Sequence, residues 1–163
     1  MTTNPFTPPT TPVADIPLAG EIQYVGFWAR VGAAVIDTIL IVLITSPLLV
    51  SVYGWAYYGM DAKSSFVKGP ADFVISWILP AVVSIWFWLR KQATPGKMAI
   101  SAKVVDAKTG ATLTVRQSIG RYLGYFVSTL PLGLGIFWVA FDSRKQGWHD
   151  KLAGTVVIKR SRA

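Results

Sequence analysis

The amino-acid sequence predicts an all-α multi-pass membrane protein that carries a small cytoplasmic β-hairpin. Hydrophobic residues make up 52% of the 163 residues and charged residues only 15%, whereas soluble globular proteins carry roughly 25% charged residues. The apolar residues are concentrated in three long runs, and a chain of this length cannot bury so much apolar surface in a core of its own. We therefore expect one membrane domain over residues 23–160, with lipid covering part of its surface.

The two ends of the chain lie outside this predicted domain. Residues 1–22 contain five Pro and five Thr, with no Lys or Arg and no apolar segment. They lack the basic start and apolar centre of a secretory signal peptide, and their composition predicts a disordered tail. Residues 161–163 form a short basic end.

Two of the apolar runs are long enough to be firm transmembrane helices. They cover residues 25–52 and 73–89, compared with the ~20 residues that span ~30 Å of hydrocarbon. Aromatic residues at both ends of the first run are typical of a helix that meets lipid headgroups on both sides. Pro47 predicts a kink or an end near the far side of this helix. A short polar loop, residues 59–72, joins the two runs.

The third apolar stretch, residues 119–141, allows two interpretations. It is long enough for a third span, but Pro and Gly within residues 130–135 favour a break, which would produce a re-entrant hairpin. The basic blocks at 90–121 and 144–162 should both face the cytoplasm under the positive-inside rule. Three complete crossings would separate these blocks, so we expect the hairpin and keep the third span as the alternative.

The charge balance predicts contact with anionic lipid rather than with nucleic acid. The chain carries 16 Lys and Arg against 8 Asp and Glu, a net charge of +8. The basic residues stand beside the apolar runs, where they would contact the anionic cytoplasmic leaflet. No nucleic-acid-binding motif accompanies them, so we expect the lipid bilayer as a partner and no nucleic acid.

The segment after the second run predicts the β-hairpin. Residues 98–104 alternate between apolar and polar side chains, a turn sequence follows at 106–110, and a Thr-rich run comes next. This period of two around a turn is typical of two antiparallel strands. Residues 155–159 have similar β character and are candidates for a third strand.

Arg30 and Asp37 place two charges inside the first apolar run. Their spacing of seven residues puts them on nearly the same helix face but ~10 Å apart along the axis, so we do not expect them to bond each other. If the hydrocarbon begins near Trp28, Asp37 lies ~14 Å down, where a charge must face protein or water or be protonated. Arg30 can extend its side chain back to the interface.

Each of these charges needs a partner elsewhere, and we expect both partners in the C-terminal part of the chain. The candidates for Arg30 are Asp142 and Asp150. The candidates for Asp37 are Arg121, Gln117 and hydroxyl groups of the third apolar stretch. Such a network has two possible roles. It either fixes how the helices pack, in a protein that transports nothing, or it makes Asp37 a protonatable carboxylate for cation/proton exchange.

No pattern in the sequence indicates catalysis or a metal site. His149, beside Asp150, is the one His in the chain, and Cys is absent, so neither a metal-binding set nor a catalytic triad signature is present. We expect an orienting role for His149. Gly96 and Lys97 lack the preceding glycines of a phosphate-binding loop. We therefore expect no enzyme activity, no cofactor and no bound metal.

Four segments, taken in order, resemble the RDD family of membrane proteins, which is named for one Arg and two Asp. These segments are residues 25–30, 36–37, 94–97 and 149–157, and the resemblance extends over about residues 22–160. It implies that the family residues are Arg30, Asp37 and Asp150, with Asp142 as the fallback for the second Asp. The supporting candidates are Arg121, His149, Gly96 and Lys97.

The resemblance also implies a bacterial plasma (inner) membrane protein. From the positive-inside rule, we expect its N-terminus and main basic segments in the cytoplasm. Some members of the family have been linked to sodium/proton antiport, and other RDD domains resemble accessory modules. We expect a non-enzymatic accessory or assembly component of a membrane complex. The alternative is a Na⁺/H⁺-type antiporter that uses Asp37, as an oligomer. The expected protein partners are further copies of the chain or a larger membrane complex.

Overall fold

The computed structural model describes residues 22–59 and 67–160. The helices in these ranges are α1 (Phe27–Tyr53), α2 (Pro70–Phe73), α3 (Leu79–Lys91), α4 (Pro95–Ala99), α5 (Val115–Thr129), α6 (Leu134–Phe137) and α7 (Trp148–Ala153). The strands are β1 (Ile22–Tyr24), β2 (Ala102–Asp106) and β3 (Thr155–Arg160). Almost all of the predicted tail (1–22), part of the predicted loop (59–72) and the predicted basic end (161–163) lie outside the described residues.

The first apolar run forms α1, a helix of 27 residues. An 18-residue stretch of it has a mean hydropathy of 2.3, so the helix is long and apolar enough to cross a membrane. Pro47 lies inside the helix and does not end it. The helix ends at Gly54, whose φ of 71° is a conformation that glycine adopts without strain. Along α1, which is described in full, only Ala33 and Leu49 are buried, so most of its apolar surface is uncovered by protein.

The second apolar run forms a helix over Pro70–Lys91, which is also long and apolar enough to span a membrane. Within it, α2 and α3 are joined by a π-helical turn at Val74–Ile78. Pro80 is the second residue after this turn. Because Pro lacks an N–H and its ring collides with the carbonyl one turn earlier, we attribute the wider π turn to Pro80.

Asp72 ties the end of α1 to the start of this second helix. Its carboxylate accepts hydrogen bonds from the hydroxyls of Tyr57 and Ser76, both at 2.8 Å, and from the Lys68 backbone N–H at 2.7 Å. Its own N–H donates to the Tyr53 hydroxyl at 3.0 Å. The residue is only 4% exposed, so Asp72 holds the two helices together at this end rather than serving as a free loop charge.

The third apolar stretch is broken, as the sequence predicts. Helix α5 and the short helical segment Leu134–Ala140 meet at an angle of 112°. The bend contains Leu132 and Gly133, both with positive φ, and Gly133 adopts this conformation readily. Helix α5 begins at a capping box in which Thr114 and Gln117 exchange hydrogen bonds. By length and composition, the described part of the chain therefore has two candidate spans, or three if the bent pair counts as one.

The three strands form one antiparallel sheet in the order β1-β3-β2. β3 is central, with Val157 opposite Val104 in β2 and Ile158 opposite Tyr24 in β1. The predicted third strand is thus confirmed. The sheet joins a segment before α1, a segment after α3 and the C-terminal segment, so it brings together parts of the chain that the apolar runs separate.

The predicted β-hairpin is wrong. β2 pairs with β3, and residues 107–114 form a turn and a loop instead of a returning strand. Asp106 accounts for the difference, because its carboxylate accepts hydrogen bonds from the backbone of Thr109 (2.8 Å), the side chain of Gln117 (2.5 Å) and the backbone of Lys108 (2.9 Å). These bonds hold the pKa of Asp106 below its ordinary value. Upstream, Met98 belongs to α4, and the strand begins at Ala102.

The apolar core lies against the sheet rather than between the long helices. It contains buried side chains from the sheet, from the start of α1, from α3 and from the loop before α5: Val25, Trp88, Ala102, Val104, Leu113 and Val157. Ile85, Tyr122 and Tyr125 pack around it. The folded core therefore sits at the end of the helices where the charged side chains also meet.

Candidate functional site

Asp150 lies at the centre of a buried charge cluster that we define as Arg30, Arg121 and Asp150. It is the third residue of α7, and its side chain is fully buried. Its carboxylate accepts a hydrogen bond from the backbone N–H of Gly147 at 3.1 Å, which satisfies one of the free donors at the start of that helix. The short α7 thereby positions the carboxylate that receives both arginines.

Arg30 reaches this cluster from the first turn of α1. Its Nη1 donates to Asp150 Oδ2 at 2.5 Å, its Nη2 donates to the Lys145 carbonyl at 2.5 Å, and its Nε donates to the Val25 carbonyl at 3.0 Å. Of the two partners predicted for Arg30, the structure therefore places Asp150 against it. Asp142 instead pairs with Lys151 at 2.5 Å.

Arg121 approaches Asp150 from α5 and is fully buried. Its Nη1 donates to Asp150 Oδ1 and to Thr155 Oγ1, the latter at 2.6 Å. Its guanidinium group also lies 5.3 Å from the centre of the Trp88 ring, within the range of a cation–π interaction. One carboxylate is thus shared by two guanidinium groups that come from helices far apart in the sequence.

His149 is packed beside the cluster as a neutral ring. It stacks on Tyr125 with 4.1 Å between ring centres, and its backbone N–H donates to Ser128 Oγ at 3.0 Å. Burial lowers the pKa of His149 to about 3, with Arg121 and Arg30 contributing in the same direction. For Asp150, burial acts to raise the pKa, but the two guanidinium groups outweigh it and hold the pKa below its ordinary value.

Ser128, His149 and Asp150 have the composition of a catalytic triad but not its geometry. Ser128 Oγ lies 3.3 Å from His149 Nδ1, but it donates its hydrogen to the Gly124 carbonyl at 2.8 Å, so the ring does not accept this proton. His149 Nε2 lies 3.6 Å from Asp150, beyond hydrogen-bond distance. A nucleophile needs a base that accepts its proton and a carboxylate that orients the base. Here the hydroxyl proton is directed at Gly124, and the carboxylate is too far from the ring to orient it.

Asp37 has different partners from those predicted. Its carboxylate accepts hydrogen bonds from Thr94 Oγ1 at 2.5 Å and from the Gly96 backbone N–H at 2.7 Å. The predicted partners are engaged elsewhere, because Arg121 bonds Asp150 and Gln117 bonds Asp106. The prediction was wrong because it sought a charged or hydroxyl-bearing group in the third apolar stretch, whereas the turn before α4 folds back onto α1.

Gly96 permits this close approach of α4 to α1. A Cβ atom at Gly96 would lie 2.0 Å from the backbone carbonyl oxygen of Ala33 and 3.0 Å from Cγ of Asp37. No side chain fits there without moving the backbone. Gly96 and Lys97, which the sequence offers only as supporting candidates, thus belong to a second group with Asp37 and Thr94, separate from the charge cluster.

Lys97 is buried to the same degree as the core, with only 9% of its surface exposed. Its ammonium group donates one long hydrogen bond, of 3.4 Å, to Thr94 Oγ1. Lys97, Asp37 and Thr94 line one end of a cavity of about 500 Å³ between α1, α3, α4 and α5. Among the described residues, no group of three or more His, Cys, Asp or Glu side chains is arranged to hold a metal ion.

Comparison with known proteins gives a family and several uncharacterized relatives. A sequence model of the RDD family matches residues 24–154. A 75-residue segment is 48% identical to an uncharacterized protein of Rickettsia prowazekii, covering 46% of this chain and 41% of that protein. Two Bacillus subtilis proteins match more fully: uncharacterized protein YxaI (27% identity, 82% of this chain, 95% of its own) and uncharacterized membrane protein YteJ (29%, 83% and 80%). No solved structure shows a significant match.

Proposed function

Because the chain belongs to the RDD family, we propose that it is a non-enzymatic integral membrane protein that acts as an accessory or assembly component of a larger membrane complex. The observation that carries this proposal is the outer surface of α1. Ile39, Leu43 and Ile44 are between 54% and 64% exposed, and in the apolar 18-residue stretch of α1 only 11% of the residues are buried. Lipid or partner helices must cover such a surface.

The sheet supports the re-entrant topology for the third apolar stretch. β1 precedes the first candidate span, β2 follows the second, and β3 follows the bent pair. Since these strands are hydrogen-bonded to one another, all three must lie on one side of the membrane. Two crossings return the chain to that side, and a third would place β3 on the opposite side. The basic segments attached to β2 and β3 make this side the cytoplasm.

The charge cluster fits an assembly role better than a transport role. Asp150 is neutralised by two guanidinium groups and accepts further hydrogen bonds from neighbouring backbone. A carboxylate held in this way favours its charged form, whereas a proton carrier must exchange protons near neutral pH. The cluster joins α1, α5 and α7 and so fixes the shape that a partner would meet.

Co-purification in mild detergent tests the assembly proposal. We expect the tagged protein to bring down stoichiometric partner proteins in a complex larger than its own oligomer. Ile39→Trp keeps the α1 surface apolar but changes its shape, so it should reduce this association. Leu123→Trp, at a 59% exposed position on α5, is the matched control. Recovery of a homo-oligomer alone would contradict the accessory role.

A second candidate function is cation/proton antiport, and one observation favours it: Asp37 lines the cavity between the helices. In this alternative, Asp37 is the protonatable carboxylate. Purified protein in liposomes would then collapse a pH gradient when sodium is added, and Asp37→Asn would abolish this activity. The accessory role predicts no sodium-dependent collapse with either protein, so this measurement separates the two functions.

A further inference from the structure

The cavity between α1, α3, α4 and α5 is polar at one end and apolar along its length. Its volume of about 500 Å³ falls within the ~300–1,000 Å³ range of ligand pockets. Ile41, Ile44, Val83 and Phe87 supply much of its apolar wall. Along α1 the lining extends from residue 34 to residue 44, a distance of ~15 Å at the rise of an α-helix. These dimensions suit an elongated apolar group.

The polar end of the cavity holds a cation without a counter-charge in contact with it. Lys97 forms no ion pair within the described part of the chain, and its one hydrogen bond is long. The nearby Asp37 carboxylate is bound to Thr94 and Gly96 instead. A buried ammonium group is costly unless it is paired and hydrogen-bonded, so an acceptor is missing at this position.

Two neighbouring donors also lack acceptors. Within residues 22–59 and 67–160, the indole N–H of Trp88 has no hydrogen-bond partner, and neither has Nε of the adjacent Arg121. Trp88 lines the cavity and is 2% exposed. Native proteins satisfy most buried donors. Around this end of the cavity the described interior contains three cations (Arg30, Lys97 and Arg121) and two carboxylates (Asp37 and Asp150), which leaves an excess of positive charge.

We propose that this cavity binds one anionic phospholipid, with an acyl chain along the apolar wall and the phosphate headgroup at Lys97 and the Trp88 N–H. A phosphate has several acceptor oxygens and a negative charge, so one group satisfies both donors and balances the excess charge. Lys97 also stands at the end of the helices that carries the basic segments, where anionic lipid is attracted. The inference rests on the membrane insertion proposed above and goes beyond the assembly role.

Lipid titration of the purified full chain tests this inference. The protein, freed of lipid in a neutral detergent, is titrated with phosphatidylglycerol, with phosphatidylcholine of the same acyl chains, and with palmitate, and bound lipids are counted by native mass spectrometry. We expect one phosphatidylglycerol per chain, bound at least about tenfold more tightly than phosphatidylcholine, because the charged headgroup contact distinguishes them. Detergent replaces the membrane here, so failure would not bear on insertion or on partner assembly.

Two pairs of variants locate the site. Lys97→Gln should remove the preference for phosphatidylglycerol, whereas Lys103→Gln, which removes a charge from an exposed position on β2, should keep it. Ile41→Trp should fill the cavity and weaken binding of both lipids. Its control is Val42→Trp, because Val42 is 52% exposed and does not line the cavity.

Three results would overturn the inference. These are equal binding of the two phospholipids, tighter binding of palmitate than of phosphatidylglycerol, or binding that Ile41→Trp leaves unchanged. The last comparison decides the matter even if Lys97→Gln fails to fold, since Ile41 has no charged or hydrogen-bonding side chain whose loss would disturb the polar end.

Discussion

Asp150 carries one negative charge between two guanidinium groups, and its burial makes this charge necessary to the fold. Arg30 comes from the first turn of α1 and Arg121 from α5, so neither helix can leave without exposing an unbalanced interior charge. A buried ion pair adds little compared with well-packed apolar groups, but breaking one by removing a partner is strongly destabilising. At the residue scale, the cluster therefore holds together segments that are distant in the sequence.

We predict that Asp150→Asn lowers the free energy of unfolding by about 3–5 kcal/mol, because both guanidinium groups then stay buried without a counter-charge. Thermal unfolding in mild detergent would show this as a lower midpoint. Asp142→Asn is the matched control. Asp142 pairs with Lys151, whose side chain is 45% exposed, so the cation left by the substitution is solvated by water and the loss should be smaller. Equal losses in the two variants would contradict the role given to Asp150.

His149 should make stability fall as the solution is acidified. Its pKa is about 3 in the folded protein and about 6.5 in an unfolded chain. As pH falls below 6.5, the unfolded chain binds a proton at His149 that the folded chain does not bind. The contribution of His149 to the free energy of unfolding is therefore complete above pH 6.5 and is lost as pH falls towards 3. Between about pH 8 and pH 5 we predict a loss of about 2 kcal/mol.

The variant that isolates this effect is His149→Phe, which keeps a ring to stack on Tyr125. His149 is the one His in the chain, and unperturbed carboxyl groups titrate near pH 4 or below. The slope of unfolding free energy between about pH 8 and pH 5 should therefore vanish in the variant. A slope that survives the substitution would show that another group titrates in this window.

At the scale of the elements, the contact between α1 and α4 depends on a residue without a side chain. We predict that Gly96→Ala separates the two helices and breaks the hydrogen bonds to Asp37, since the added Cβ would meet the Ala33 carbonyl at 2.0 Å. The unfolding midpoint should fall by several degrees, as for other overpacked sites that cost about 1–3 kcal/mol. Gly120→Ala in α5, where nothing lies within 4 Å, should be neutral or stabilising.

The elements that the sequence predicts are those set by local properties. Length and apolarity determine the two long helices, and Pro131 and Gly133 break the third stretch. A charge in an apolar helix needs a partner. For Arg30 this requirement leaves two candidate partners, one of which is Asp150. These inferences need only neighbouring residues and the cost of burying charge.

The elements that the sequence did not predict are set by contacts distant along the chain. The Thr-rich run has β propensity, but hydrogen bonds to the side chain of Asp106 hold the start of this segment in a turn. β2 pairs with β3 instead. For Asp37, the partners are a hydroxyl and a backbone N–H from residues 94–96, whereas Arg121, Gln117 or a hydroxyl of the third apolar stretch was expected. Every residue except Pro has a backbone N–H, so the sequence does not show which of them will bond a given carboxylate. Which strands pair with each other depends on the whole fold.

At the scale of the whole molecule, one sheet gathers three segments that the apolar helices separate. The charge cluster and the apolar core both lie next to this sheet, while few residues of the two candidate spans are buried by protein. The molecule therefore has one end that is folded around the sheet and helix surfaces elsewhere that are apolar and exposed. Our central claim is that the third apolar stretch enters the membrane and returns to the side from which it came.

Labelling of single cysteines in intact cells tests this claim directly, because the natural chain has no Cys. Ser143→Cys follows the bent pair, Lys108→Cys precedes it, and Trp55→Cys lies between the two candidate spans. With a membrane-impermeant maleimide, we predict that only Trp55→Cys reacts in intact cells and that all three react after permeabilisation. Reaction of Ser143→Cys in intact cells, with Lys108→Cys protected, would show a third complete crossing and contradict the account.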